Sequence, residues 1–222
     1  MNKDQCIKYN IPRDAVITIS GTVGVGKSTL TKLLAEKLNF LTSYEKVEGN
    51  PYLEKYYSDF KRWSFHLQTF FLAERFKEQK RMFQYAGGFV QDRSIYEDVE
   101  IFAKMNYDKG NMTEEDYQTY KSLFEAMVMT PFFPHPDLVI HIDGDLDRVL
   151  QQIEERGREM EINTDIVYWR ELNERYTEWI RDFNHAPILR LDLKDYDLIN
   201  DTDEALDYIC KKIGKVLSHK VK

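Results

Sequence analysis

Eight residues, Gly21-Thr22-Val23-Gly24-Val25-Gly26-Lys27-Ser28, follow the spacing G-x-x-x-x-G-K-S, which cradles phosphate in nucleotide-dependent proteins. Glycines let the backbone turn tightly and aim its N–H groups inward, making a nest for an anion. A helix that starts there adds the positive end of its dipole. In that arrangement Lys27 reaches the outer phosphates, the Ser28 hydroxyl serves Mg²⁺, and Thr29 completes the phosphate-binding run.

A phosphate loop holds only a donor. Phosphoryl transfer also needs an acceptor, a group that takes its proton, and positive charge for the transition state. Glu48 lies at the end of a predicted strand beside the turn Gly49-Asn50-Pro51, where a carboxylate can serve an acceptor hydroxyl; the plainer reading is a surface acid. Asp92-Arg93-Ser94 follows the short apolar run Phe89-Val90-Gln91. In an open parallel sheet that strand end is where ligands bind. Asp92 there can complete the Mg²⁺ environment, and Arg93 can hold Glu48 or an acceptor oxygen by paired bonds. Arg156 and Arg158 flank Gly157 in a segment too charged to be buried, a composition that suits a lid closing over phosphates or an ordinary solvated helix end. Gln68, Phe71, Leu72 and Arg75 share one face of an aromatic-rich helix, mixing stacking and hydrogen-bonding groups as a pocket wall does.

These groups need elements to hold them. Ala15-Val16-Ile17-Thr18-Ile19 reads as a buried strand before the loop, and Leu30, Leu33, Leu34 and Leu38 recur at helical spacing after it. The next predicted elements are a strand over 41–48, a long helix from Pro51 to Tyr85, the strand at Phe89, and a helix from Ile95 to Met105. A helix capped at Thr113 then runs to about Met129. Strands at Leu138–Ile142 and Ile188–Leu191 alternate with helices over Leu146–Glu155, Ile166–Phe183 and Asp203–Leu217. Alternating strands and helices predict a parallel sheet covered on both faces.

Composition narrows the class. The 222 residues carry a net charge of 31 − 38 = −7, with no lysine-rich run, so a nucleic-acid polymer is a poor partner. Cys6, Cys210 and the five histidines lack metal-ligand spacing, which argues against protein-held zinc. The stretch Met1–Asn10 lacks an apolar signal core, and no apolar run is long enough to span a membrane. The expectation is a cytoplasmic protein of one domain over 1–222, with 1–14 a flexible lead-in ended by Pro12.

The ordered set Gly21 to Ser28, Glu48, Arg62-Trp63-Ser64-Phe65 with Gln68, Asp92-Arg93-Ser94 and Arg156-Gly157-Arg158 resembles the deoxynucleoside kinases, from the first strand to the last. The likeness is strongest to the bacterial branch acting on deoxyadenosine and deoxycytidine. The resemblance implies a P-loop kinase fold, with a five-stranded parallel sheet, helices on both faces and an arginine-bearing lid at about 156–161. It implies ATP as phosphate donor, Mg²⁺, a deoxynucleoside acceptor and a homodimer.

Residue by residue, the resemblance makes Glu48 the base on the 5′-hydroxyl, with Arg93 beside it. Tyr57 and Glu161 hold the 3′-hydroxyl. Gln68 bonds the base edge, with Phe71, Arg75 and Asp98 nearby. Arg156 and Arg158 are the lid cations, and Asp192, Asp195 and Tyr196 belong to the loop at the donor adenine. The chain departs from the family pattern in three places. Asp92 stands where Glu is frequent, Gln152 replaces an arginine found in some members, and Glu48 precedes Gly-Asn-Pro where many members have proline immediately. A thymidylate-like kinase and a non-catalytic nucleotide-binding subunit are the alternatives. A switch GTPase is disfavoured by the lack of an Asn-Lys-x-Asp guanine motif.

Overall fold

The computed structural model describes residues 5–131, 133–196 and 202–218. Five strands, β1 (Val16–Ser20), β2 (Leu41–Ser43), β3 (Phe89–Asp92), β4 (Leu138–Asp143) and β5 (Ile188–Asp192), form one sheet in the order β2-β3-β1-β4-β5. Every pairing is parallel. The central strands are buried throughout, as a sheet covered on both faces requires.

Alternation assigns the two faces. Ile17, Ile19, Val90, Leu138, Ile140 and Ile142 pack with α2 (Lys27–Leu38) and α11 (Thr202–Ser218). Val16, Phe89 and Val139 point the other way, towards α4 (Phe60–Gln84) and α7 (Glu114–Val128). Strand ends β1 and β3 therefore open side by side at one edge of the core, with α2 starting directly above them.

Local chemistry explains where the chain departs from the sequence expectations. The stretch predicted as one helix from 51 to 85 is two, α3 (Leu53–Ser58) and α4. Asp59 takes an extended backbone and its carboxylate accepts from Arg62 N at 3.0 Å, capping α4 anew. The helix predicted over 95–105 is α5 (Ile95–Glu97), a π-helical stretch Asp98–Ala103, and α6 (Lys104–Asp108). Ser94 and Glu97 start it with a reciprocal capping box. The strand predicted over 41–48 ends at Ser43.

Residues 5–9 of the expected lead-in form α1, with Cys6 and Tyr9 buried. Tyr9 O lies 1.7 Å from where a β-carbon on Gly214 would stand, so only glycine lets α1 seat against α11. Helices α8 (Leu146–Arg156), α9 (Glu159–Ile162) and α10 (Ile166–Asp182) complete the cover above β4 and β5.

Candidate active site

The turn between β1 and α2 leaves the helix start unsatisfied. Gly26, with φ 98°, occupies the cap position and no side chain caps the helix. The first turn of α2 holds no acid either. Free N–H groups and an uncompensated dipole thus face outward. Gly24, with φ +83°, would meet Val149 O at 3.0 Å and the Gln152 β-carbon at 3.3 Å if it carried a β-carbon. The loop therefore lies against α8, the helix that leads to the lid. Lys27 is buried, and its ammonium donates to Thr22 O at 2.7 Å. Burial, then the charge of Arg93, lowers it to about 8. Ser28 Oγ donates to Asp92 Oδ2 at 2.5 Å, joining α2 to the end of β3.

A cavity of 630 Å³ runs from this loop to the aromatic wall of α4. At its middle sits Arg93, 2% exposed and held at φ +69°, a conformation that non-glycine residues adopt at a cost and that clusters at functional sites. Its Nη1 donates to Tyr176 OH, and its guanidinium lies 4.6 Å from the centre of the Phe102 ring. Arg93 Nε is 3.2 Å from Glu45 Oε1 but is not aligned for a hydrogen bond, so the contact is a charge pairing. Burial works against the charge of Arg93, but Tyr176, Glu45, Glu97 and Asp92 outweigh it and raise its pKa. Burial likewise pushes the Glu45 carboxyl up, yet Arg93, Arg75, Lys27 and Arg158 prevail and hold it below its ordinary value.

Arg75 closes the far side. Its Nε donates to Asp98 Oδ2 at 3.1 Å and its Nη1 to Asp92 O at 3.0 Å. Burial raises the Asp98 carboxyl, and the Arg75 guanidinium offsets part of that. Asp98 opens the π-helical stretch, whose wider turn carries Asp98 and Phe102 to the same cavity. Two helical turns before Arg75 on α4, Gln68 is 2% exposed and lines the cavity, and among the described residues its carboxamide finds no protein partner. A buried amide without a partner is costly unless something else supplies one. Phe71 and Tyr57 line the same wall.

The lid is gathered over the opening. Gly157 ends α8 in the left-handed conformation at φ 73°. Arg158 Nη1 donates to Glu161 at 2.8 Å and Arg156 Nη1 at 3.4 Å, with Glu161 itself 4% exposed. Both arginines and Glu161 line the cavity.

The residues expected from sequence thus converge, with two exceptions. Glu48 reaches the cavity rim but is exposed, and the carboxylate beside Arg93 is Glu45. The reason is the early end of β2. After Ser43 the chain curls, with Val47 N donating to Glu45 O at 2.9 Å and Asn50 N to Val47 O at 3.2 Å. That turn directs Glu45 inward and Glu48 outward. Sequence reading carried the strand five residues too far; the departure from Glu-Pro at Glu48 was the available sign. The second exception is the loop at 192–196. Asp192 caps the short 3₁₀ turn Leu193–Asp195 and Tyr196 OH accepts from Lys212 at 2.8 Å. That segment meets the phosphate loop through Leu193, near Gly26, while Asp192, Asp195 and Tyr196 stand outside the cavity lining. Sequence reading also passed over Glu97, fully buried, which accepts from Tyr176 OH at 3.0 Å and from Ser94 N at 2.7 Å. Its S-x-x-E spacing with Ser94 was the sign available.

Comparison with known proteins gives the family. The family model described as "Deoxynucleoside kinase" matches residues 17–218. The deoxyadenosine/deoxycytidine kinase of Bacillus subtilis is 60% identical over 210 residues, covering 95% of this chain and 96% of that protein. A deoxyguanosine kinase of Lactobacillus acidophilus is 36% identical over 211 residues, covering 90% and 92%. Among solved structures, deoxyadenosine kinase from M. mycoides with bound dATP superposes with a TM-score of 0.76 at 32% identity, covering 89% of this chain and 98% of that one. With its phosphate loop, its arginine-bearing lid and its five-stranded parallel sheet, the chain belongs to the deoxynucleoside kinase family.

Proposed function

We propose that this kinase moves the γ-phosphate of ATP to the 5′-hydroxyl of deoxyadenosine, and also of deoxycytidine. The observation that carries the reading is the single cavity joining Lys27 and Ser28 at one end to an unpartnered, buried Gln68 carboxamide at the other, with Glu45 and Arg93 between them. A carboxamide both donates and accepts. It therefore matches adenine or cytosine, each of which presents an amino group beside a ring nitrogen. The similarity to kinases of deoxyadenosine and deoxycytidine supports the same bases.

Glu45 takes the proton from the 5′-hydroxyl as that oxygen attacks phosphorus. Because its carboxyl is held below the ordinary value, it is ionised and ready at neutral pH. Arg93 holds the carboxylate and faces the attacking oxygen. Lys27 and the lid arginines meet charge that develops on the transferred group. Ser28 and Asp92, hard oxygen donors 2.5 Å apart beside the phosphate loop, fit Mg²⁺, which takes one or two protein oxygens and completes its shell with phosphates and water. When bound, that ion neutralises charge on the donor phosphates. Glu161 and Tyr57 hold the 3′-hydroxyl, which asks Glu161 to share its bonds with Arg156 and Arg158.

A homodimer is part of the same proposal. The large apolar side chains left exposed on and beside α7, Leu123 at 39% and Met129 at 82%, support it; light scattering is the check.

The functional test is a chromatographic assay of the four deoxynucleosides and dTMP, each with ATP and Mg²⁺. Formation of dAMP and dCMP is expected. Phosphorylation of dTMP alone would instead point to a monophosphate kinase.

A further inference from the structure

Beneath the base wall lies a second layer of buried polar groups that never reaches the cavity. Gln79 is one helical turn after Arg75 on the inner face of α4 and is 3% exposed. Its Nε2 donates to Gln91 Oε1 at 3.2 Å, and Gln91 sits on β3 immediately before Asp92. Arg75 Nη1 in turn donates to Asp92 O at 3.0 Å. Successive turns of α4 are therefore fastened to successive residues of β3. In the sheet, Gln91 is flanked in register by Thr18 on β1 and Ser43 on β2. All four side chains are buried, and Gln79 Oε1, Gln91 Nε2, Thr18 Oγ1 and Ser43 Oγ find no protein partner.

Apolar packing surrounds the layer. Met82, Val16 and Phe89 lie on one side of it, and Leu72 and Val139 belong to the cluster on the other. Apolar side chains of the same size would suit that interior better, because unpaired buried polar atoms destabilise a fold. What polar atoms offer instead is direction. Apolar surfaces slide past each other at little cost, whereas an amide pair has one good geometry.

We infer that the Gln79–Gln91 pair is a positioning device for acceptor selection: it fixes the axial register of α4 against β3. Helix α4 carries Gln68, which lines the base end of the cavity, and Arg75, which holds Asp98 at its wall, while Asp92 and Arg93 at the end of β3 line the same cavity towards the phosphate loop. The register of one against the other sets the distance between base recognition and the 5′-hydroxyl, and with it which bases fit. The Thr18 and Ser43 hydroxyls flank the pair without fastening α4. This inference rests on the acceptor reading above.

The test compares a Gln79→Leu/Gln91→Leu double variant with the parent by thermal unfolding and by steady-state kinetics on deoxyadenosine, deoxycytidine, deoxyguanosine and ATP. Removing paired and unpaired amides together is expected to leave Tm equal or higher. KM for ATP should stay within about two-fold, KM for deoxyadenosine should rise about ten-fold, and the preference for deoxyadenosine over deoxyguanosine should fall about five-fold or more. Thr18→Val/Ser43→Ala keeps the amide pair and should leave that preference unchanged.

An unchanged preference in the Leu/Leu variant, a fall in Tm with all kinetic constants moving together, or a changed preference in the Val/Ala variant would each overturn the inference. If the Leu/Leu protein does not accumulate, Gln79→Met is held to the same thresholds. A parent that phosphorylates no deoxynucleoside refutes the functional proposal instead, so the two failures are distinguishable.

Discussion

The two ends of the cavity are built in opposite ways. The donor end comes from one contiguous run, Gly21 to Ser28, and works chiefly through backbone N–H groups and a helix start that no side chain caps. The acceptor end is assembled from side chains on five separate segments. Glu45 follows β2, Gln68 and Arg75 stand on α4, Arg93 follows β3, Asp98 opens the π-helical stretch, and Tyr176 comes from α10. A backbone nest tolerates changes in the side chains around it, whereas an assembly of buried charges depends on every member. The acceptor end also stores backbone strain, at Arg93, where the donor end meets its positive φ values with glycine.

The sharpest test of the donor end is Lys27→Ala. It removes a side-chain cation buried beside the phosphate loop, and kcat should fall about 10³-fold or more, judged by losses of comparable charge stabilisation. Activity within ten-fold of the parent would show that the backbone nest suffices alone. At the acceptor end, Gln68→Ala should raise KM for deoxyadenosine about 10- to 100-fold, as loss of a paired contact to a base edge does, while KM for ATP changes little. Equal losses in both would place Gln68 outside the base pocket.

A smaller effect separates the ends by protonation. Burial and Arg93 hold Lys27 down at about 8 in the free protein, so near pH 8 roughly half of it is neutral. Bound triphosphate favours the charged form and lifts that pKa. Binding ATP at pH 8 should therefore take up about half a proton, falling towards none at pH 6.5. Calorimetry in buffers of different ionisation enthalpy reads this directly. Nucleoside binding should lack that signal, because Glu45 is already ionised there. Uptake that does not vary with pH would contradict the assignment to Lys27.

The same contrast explains what the sequence made legible. The phosphate loop, the order of strands and helices, and Asp92-Arg93 at a strand end are local patterns, and each stands in the sheet where its pattern points. The partner of Arg93 is not a local property. Glu45 and Glu48 lie three residues apart in one charged stretch, and only the turn closed by Val47 N to Glu45 O decides which enters the protein. Alternation of apolar residues could not reveal that β2 stops at Ser43. The π-helical stretch was equally hidden, because six residues are too few for apolar spacing to tell a wider turn from an α-helix. Tyr176 and Glu97 fall within predicted helices with nothing to single them out, and the fold sets them against Arg93.

The role of Glu45 is tested most directly by single-turnover phosphorylation of deoxyadenosine in Glu45→Gln and Glu48→Gln, with nucleoside affinity measured in parallel. Glu45→Gln should slow the chemical step by about 10²–10⁴ while deoxyadenosine still binds, and Glu48→Gln should stay within about three-fold of the parent. A reversed pattern, with Glu48→Gln inactive and Glu45→Gln near normal, would contradict the assignment of the base.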